Sequence, residues 1–275
     1  MPGNLTTKAA EWNVLLQETR ETASSLLGFG LRDGRPVVLK LTKNMGDESH
    51  SGAVLRAFNG NGAVRVIESE MGVVLLERLQ PGEELVNLVR RGADDEATRI
   101  LVDVIENLAN HTAPAESPIV ADWGRGFDRY LQSGDTQVRR ELIVAAQSLY
   151  QQLASSQRRT MLLHGDLQHY NVLFDRNRGW LAIDPKGVVG ELEYEIGALL
   201  RNPIELPELF ANRNTIERRL EIVCTRLKLD HARTLQWCFA QAVLSAIWDV
   251  EDRHPVKPNH PALLLANVLR QMLAP

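Results

Sequence analysis

The spacing of apolar residues divides the chain into two regimes. Up to residue 77 they fall in short runs separated by turn formers. Runs 26–31 and 36–41 are joined by Arg32-Asp33-Gly34-Arg35, whose Asp-Gly pair predicts a β-hairpin. Runs 63–67 and 72–77 predict two further strands, with 68–71 as the turn between them. Residues 14–20 read as a strand or as the end of a helix beginning near Thr7; periodicity does not separate the two, and strand is preferred. Residues 47–58 open on Asp47 and Glu48, and acidic residues favour a helix N-terminus, so one helix is expected here.

Beyond residue 85 the period turns helical. Ala97, Ile100, Leu101, Val104, Ile105 and Leu108 recur at spacings of three and four across 94–111, the signature of one buried face. Further helices are predicted over 127–131, 141–155, 216–229, about 235–252 and 262–273, with loops at 123–126 and 132–135. Short apolar strands are expected at 161–163, 172–175 and 180–183. Gln80-Pro81-Gly82-Glu83-Glu84 breaks the strand pattern, so a boundary is expected between residues 1–79, a sheet with one helix, and 80–275, mainly helical. The fold class expected is α+β.

Composition narrows the function classes. At 275 residues, 44% hydrophobic and 24% charged, the chain can bury a sizeable core. A net charge of -4 and a pI near 6.0 provide no basic face for nucleic acid, so no such partner is expected. No run approaches the roughly 18 apolar residues of a membrane span, and the first residues lack a basic-then-apolar leader. A cytoplasmic protein without a membrane partner is expected, and Cys224 and Cys238, in helical segments without ligand spacing, read as buried free thiols. Nothing in the sequence signals an oligomeric state.

The chemistry is concentrated between residues 163 and 187. His164-Gly165-Asp166, Asn171 five residues after Asp166, and Asp184 at the end of an apolar run form the polar apparatus of a metal-dependent phosphoryl-transfer site. Asp166 can accept or orient the proton of an acceptor hydroxyl. Asn171 offers an amide oxygen, and Asp184 a carboxylate, to Mg2+ bridging ATP phosphates, while His164 supports the loop. Singly, each reads as a turn or capping residue; the joint spacing carries the chemistry. Lys40 interrupts the apolar run of the second hairpin strand, and with Glu48 on the following helix it makes an ion pair able to orient phosphates. Residues 21–25, with Ser24 and Ser25, are the candidate nucleotide-covering loop, and backbone groups from Glu77 to Leu79 the candidate edge for the base. Gly28-x-Gly30 is not a phosphate-binding turn, because it lies inside a strand and opens no helix.

Segments 37–40, 164–173 and 183–185 resemble those of aminoglycoside phosphotransferases, and 164–167 with 179–191 resemble the streptomycin 6-kinase and hydroxyurea phosphotransferase subfamily. The similarity runs from about residue 20 to residue 250. It implies a two-lobed protein-kinase-like fold, with a small β-rich N-lobe and a larger, mainly α-helical C-lobe enclosing MgATP. It also implies Lys40 on the α and β phosphates with Glu48 as its partner, Asp166 as base, and Asn171 and Asp184 as magnesium ligands. Gln168 departs from the His common at this place in the antibiotic kinases and from the Lys of protein kinases, leaving a charge missing near the γ-phosphate. Lys186 either replaces that charge or is a solvated lysine.

The partner expected is a small-molecule hydroxyl acceptor, such as streptomycin or a related compound. Glu191, Glu193 and Glu195 follow Asp184, and Trp248-Asp249-Val250-Glu251-Asp252 ends a long helix. Glu191 and Asp249 are the candidates for meeting a cationic acceptor and Trp248 for packing on a sugar ring or guanidinium; Glu193 and Glu251 read as solvated charges. A housekeeping kinase for a sugar or amino alcohol needs the same core. A degenerate kinase fold could bind nucleotide as a scaffold, whereas a hydrolase using His164, Asp166 and Asp184 as metal ligands leaves Lys40 without a role.

Overall fold

The structure, a computed structural model, describes residues 4–43 and 47–274, without the side chains of Asp47 and Glu48. Helix α1 (Leu5–Glu11) starts where the Asn4 side chain accepts the Thr6 N–H at 3.0 Å. It leads into an antiparallel sheet of β1 (Leu15–Glu21), β2 (Ser25–Arg32), β3 (Arg35–Thr42), β4 (Val66–Glu70) and β5 (Val73–Glu77), ordered β1-β2-β3-β5-β4. The two readings of residues 14–20 are thus resolved in favour of strand, with the helix ending before it. The β2–β3 turn places Asp33 and Gly34 at φ 51° and 73°, the left-handed pair that matches hairpin twist. A 3₁₀ turn (Asp47–His50) leads into α2 (Ser51–Phe58), which packs against β4 and β5. The turn between those strands is at Met71 and Gly72, not 68–71, because Glu68, Ser69 and Glu70 pair with Leu75, Val74 and Val73.

The remainder is mostly helical: α3 (Val86–Arg90), α4 (Asp94–Leu108), α5 (Val120–Ser133), α6 (Arg140–Ser155), α7 (Leu192–Leu200), α8 (Pro207–Phe210), α9 (Arg213–Leu227), α10 (His231–Glu251) and α11 (Pro261–Leu273). Two small sheets are set into it. In one, β6 (Pro81–Glu84) pairs with β8 (Val172–Asp175), which pairs with β9 (Gly179–Ala182); in the other, β7 (Met161–Leu163) pairs with β10 (Val188–Gly190). The polar stretch expected to break the strand pattern is therefore itself a strand, made by backbone pairing with β8 rather than by side-chain alternation.

Residues 123–126, expected as a loop, lie inside α5. A Cβ at Gly124 would stand 2.6 Å from Tyr150 Cε1, and one at Gly126 would stand 2.9 Å from Leu244 Cδ1. These glycines let α5 approach α6 and α10 closely; their cost in helix propensity is offset by packing.

One apolar core runs from Val54 and Phe58 of α2 through α4, α5 and α6 to α10, and a smaller one lies around α1 and the sheet, with Leu5, Val37, Leu39 and Leu75. Arg219 is fully buried and pins α9 to α4 through Asp94 (2.5 Å) while donating to the carbonyls of Leu199 (3.1 Å) and Asn202 (2.8 Å). Cys224 and Cys238 are buried free thiols. No described helix is long and apolar enough to cross a membrane.

Candidate active site

The loop between β7 and β8 is held by two buried side chains. His164 Nε2 hydrogen-bonds the Ile183 carbonyl at 2.8 Å, and its Nδ1 accepts the Asp166 N–H at 3.3 Å. Burial holds the imidazole below its ordinary pKa, in keeping with a neutral ring that donates once and accepts once. The His164 carbonyl in turn accepts the N–H groups of Lys186 and Gly187, both at 3.0 Å, so this residue ties the 164–171 loop to the 183–187 segment. Gly165 sits at φ 82° with Trp123 against it, 2.8 Å from where a Cβ would lie, which leaves only glycine between His164 and Asp166. Its N–H and that of Leu167 donate to the Glu195 carboxylate, at 3.1 and 3.4 Å. Burial pushes Glu195 up to about 7 against the opposing pull of those donors. From the sequence Glu195 was only one acid of a run; its N–H partners make it the second support of the loop.

Asp166 is oriented through both carboxylate oxygens. Oδ2 accepts from Asn171 Nδ2 at 3.2 Å, and Oδ1 accepts from Arg201 Nη2 at 3.1 Å. Asn171 Nδ2 also donates to the Asp166 carbonyl at 2.8 Å, which commits the amide nitrogen and leaves its oxygen for a cation. The Asn171 carbonyl accepts the Ile183 N–H at 2.9 Å, bringing Asp184 beside it. Asp184 adopts φ 56°, and its Oδ1 lies 2.9 Å from the ammonium of Lys40, a buried side chain on β3. Glu48, the partner expected for Lys40, lies outside the described side chains. Gln168 Oε1 accepts the Tyr170 N–H at 2.8 Å and so shapes the loop.

A cavity of about 340 Å³ lies between the sheet and the loop, lined by Leu27, Val38 and Lys40 from the sheet and by Leu173 of β8 and Ile183 and Asp184 after β9. Glu77 and Leu79 also line it. The Glu77 carboxylate is engaged by the Arg65 N–H and by Arg178, whereas the Leu79 N–H donates to no acceptor among the described residues. Ser24 and Ser25 do not line this cavity: Ser25 is buried at the start of β2, and its N–H donates to Thr22 Oγ1 at 3.0 Å.

The acceptor candidates separate on burial. Glu191 is 2% exposed and accepts from Arg233 Nε (2.5 Å), Trp237 Nε1 and the Arg158 N–H (3.4 Å), so it joins the start of α7 to α10 and to the segment after α6 and has no face for a ligand. Asp249 is bracketed by His260 (3.1 Å) and His254 (3.5 Å). Trp248 lines a cavity of about 380 Å³ together with Lys186. Glu251, read as a solvated charge, accepts two hydrogen bonds from Arg129 at 2.8 and 3.0 Å.

Among the described residues no three His, Cys, Asp or Glu side chains are grouped to hold a metal, and both His164 nitrogens are engaged, which removes the hydrolase ligand set. A hard cation that takes one carboxylate, one amide oxygen and phosphate oxygens fits the Asn171–Asp184 pair.

Streptomycin 3''-kinase of Klebsiella pneumoniae is 32% identical over 248 residues, covering 88% of this chain and 90% of the relative. Hydroxyurea phosphotransferase of Kitasatospora aureofaciens is 29% identical, covering 82% of this chain and 66% of the relative. Among solved structures, a thermostable mutant of aminoglycoside phosphotransferase APH(4)-Ia, in a complex with ADP and hygromycin B, superposes with a TM-score of 0.67 at 16% identity over 98% of this chain and 99% of that one. A choline/ethanolamine kinase family protein from Mesorhizobium loti gives 0.65 at 15% identity, covering 98% of this chain and 91% of that one. The fold is thus that of the protein-kinase-like small-molecule kinases. The profile of the aminoglycoside/hydroxyurea antibiotic resistance kinases matches residues 12–253, and the chain, a small-molecule kinase, belongs to that family.

Proposed function

We propose that this kinase transfers the γ-phosphoryl group of ATP to a hydroxyl of an aminoglycoside such as streptomycin or a related compound, in a cytoplasmic setting. The observation that carries the reading is the pairing of Lys40 with Asp184, both lining the cavity between the sheet and the loop, next to an Asn171–Asp166 pair that the Ile183 N–H joins to the same segment. Residues 1–79 cover the nucleotide, and residues 80–275 carry the catalytic loop and the acceptor site.

MgATP supplies the phosphoryl group and the charge neutralisation that a loose transition state needs. The chain's own contributions are positional. Lys40 holds the Asp184 carboxylate at 2.9 Å and is the cation for the α and β phosphates, so phosphate and metal handling share one anchor. Asn171, through its amide oxygen, and Asp184, through its carboxylate, would hold the magnesium ion. Asp166, fixed by Asn171 and Arg201, orients the acceptor hydroxyl and takes its proton. Gln168 leaves the γ-phosphate without a charged partner from the loop.

Phosphate transfer from ATP is measured against streptomycin, other aminocyclitols, hydroxyurea, choline and simple sugars. The expected result is turnover with an aminocyclitol, abolished in Asp166→Ala and in Asp184→Ala while both stay folded by circular dichroism. Full activity in either variant sinks the mechanism, turnover of choline or a sugar alone sinks the acceptor assignment, and ATP binding without transfer to any acceptor points to a scaffold.

A further inference from the structure

Two cavities meet at Lys186. One, of about 670 Å³, is lined by His50 and Val54 near the start of α2, by residues 114–118 and by Gly187; the other, of about 380 Å³, is walled by Asp122 and Trp123 of α5 and by Trp248 and Glu251 of α10. Pro118 and Lys186 line both.

The charges around this junction are mostly spoken for. Glu251 is taken by Arg129, and Asp122 by Arg125 at 2.8 Å. Lys186 differs: no described carboxylate pairs with it, and its ammonium lies 5.6 Å from the centroid of the Trp248 ring. That ring is braced edge-on by Trp123, with centroids 5.7 Å apart and planes at 90°. Indole is the best aromatic partner for a cation, and desolvation strengthens the contact. A cation site on an aromatic face therefore exists beside the phosphate-handling segment, and it is filled from within the chain.

We propose that Lys186 is a built-in occupant of the acceptor's cation subsite, displaced from Trp248 when an acceptor guanidinium or ammonium takes the ring face. The inference rests on the acceptor reading above and adds how the site sorts its substrates. A cationic acceptor exchanges one positive charge for another over the ring, whereas a neutral acceptor offers nothing to replace the lysine contact. Lys186 follows Asp184 by two residues, so its Cα stays within about 7 Å of that residue's. The released ammonium thus stays tethered within a side chain's length of the segment that carries Asp184.

The test is a double-mutant cycle read by equilibrium binding without nucleotide, using calorimetry on the wild type, Lys186→Met, Trp248→Leu and the double variant. The probes are streptomycin as the cationic ligand and hydroxyurea as the neutral one, and circular dichroism verifies folding. Lys186→Met is expected to tighten streptomycin binding about 3–10-fold and to leave hydroxyurea binding unchanged. Trp248→Leu is expected to weaken streptomycin binding and, in the double variant, to erase the gain. If the tryptophan substitution disturbs folding, Trp248→Phe, which keeps a smaller ring, is expected to retain part of the gain. A gain of full size without the ring means that only charge repulsion was relieved, and it overturns the proposal. So does streptomycin binding that is indifferent to Lys186→Met, or absent from every variant. Phosphate transfer by the wild type is assayed separately: an intact binding cycle with no transfer to any acceptor counts against the proposed function alone.

Discussion

Arg201, at the C-terminal end of α7, donates to Asp166 Oδ1 at 3.1 Å from one guanidinium nitrogen and to Gln241 Oε1 at 3.1 Å from another. Because Gln241 itself donates to the Tyr194 carbonyl, the orientation of Asp166 is linked to α7 and α10 as well as to its own loop. Arg201→Met is expected to lower kcat on the order of 10–100-fold with nucleotide binding little changed, and Arg201→Lys to recover part of the loss. Steady-state kinetics on both variants provide the check; a kcat for Arg201→Met within twofold of wild type would falsify the positioning role.

Glu191 is predicted to matter to stability and not to the acceptor. Its carboxylate neutralises Arg233 in a site that is 2% exposed. Glu191→Gln leaves that guanidinium without its counter-charge and is expected to cost about 3–5 kcal/mol in urea unfolding. The KM for acceptor, measured where the variant is folded, should not move; a large rise in KM with unchanged stability would return Glu191 to the substrate site.

His169 is fully buried, and neither ring nitrogen has a hydrogen-bond partner among the described residues. Burial, reinforced by the Arg219 charge, lowers its pKa to about 3. The folded chain thus binds fewer protons here than the unfolded one. This contribution to stability is present above the unfolded pKa of about 6.5 and is lost as pH falls toward 3. His169→Leu removes both the acid sensitivity and the unpaired polar atoms, and at pH 7.5 is expected to be neutral or stabilising by up to about 2 kcal/mol. Thermal unfolding of both proteins between pH 4.5 and 7.5 tests this: parallel Tm curves would show that His169 is not the acid-sensitive group.

Gly124→Ala tests the close approach of α5 to α6. The added methyl meets the Tyr150 ring at 2.6 Å, and that ring is anchored by its hydroxyl donating to the Val120 carbonyl at 2.6 Å. A loss of about 1–3 kcal/mol is expected. An unchanged urea midpoint would mean that Tyr150 gives way without cost.

Much of the site was legible in the sequence because its parts are close along the chain. His164, Asp166, Asn171 and Asp184 lie within 21 residues of chain built on the short strands β7, β8 and β9, whose apolar runs and turns set the display, so their spacing constrains their geometry. Lys40 was legible for a related reason: a charged residue interrupting a strand's apolar run has to be matched elsewhere. Arg201 and Glu195 carried no comparable signal, since one helix residue looks like another until its partner arrives from the 164–167 loop.

The sequence by itself determined the hairpin, the helical periodicity, the identity of the candidate catalytic side chains and the family resemblance, all of which depend on residue order over short distances. Only the tertiary structure decided that β6 is a strand, that 123–126 is helical, that Glu191 is a buried hub and that Lys186 rests on Trp248. Each depends on which surfaces meet from distant parts of the chain, and burial and charge pairing are properties of those meetings rather than of any single residue.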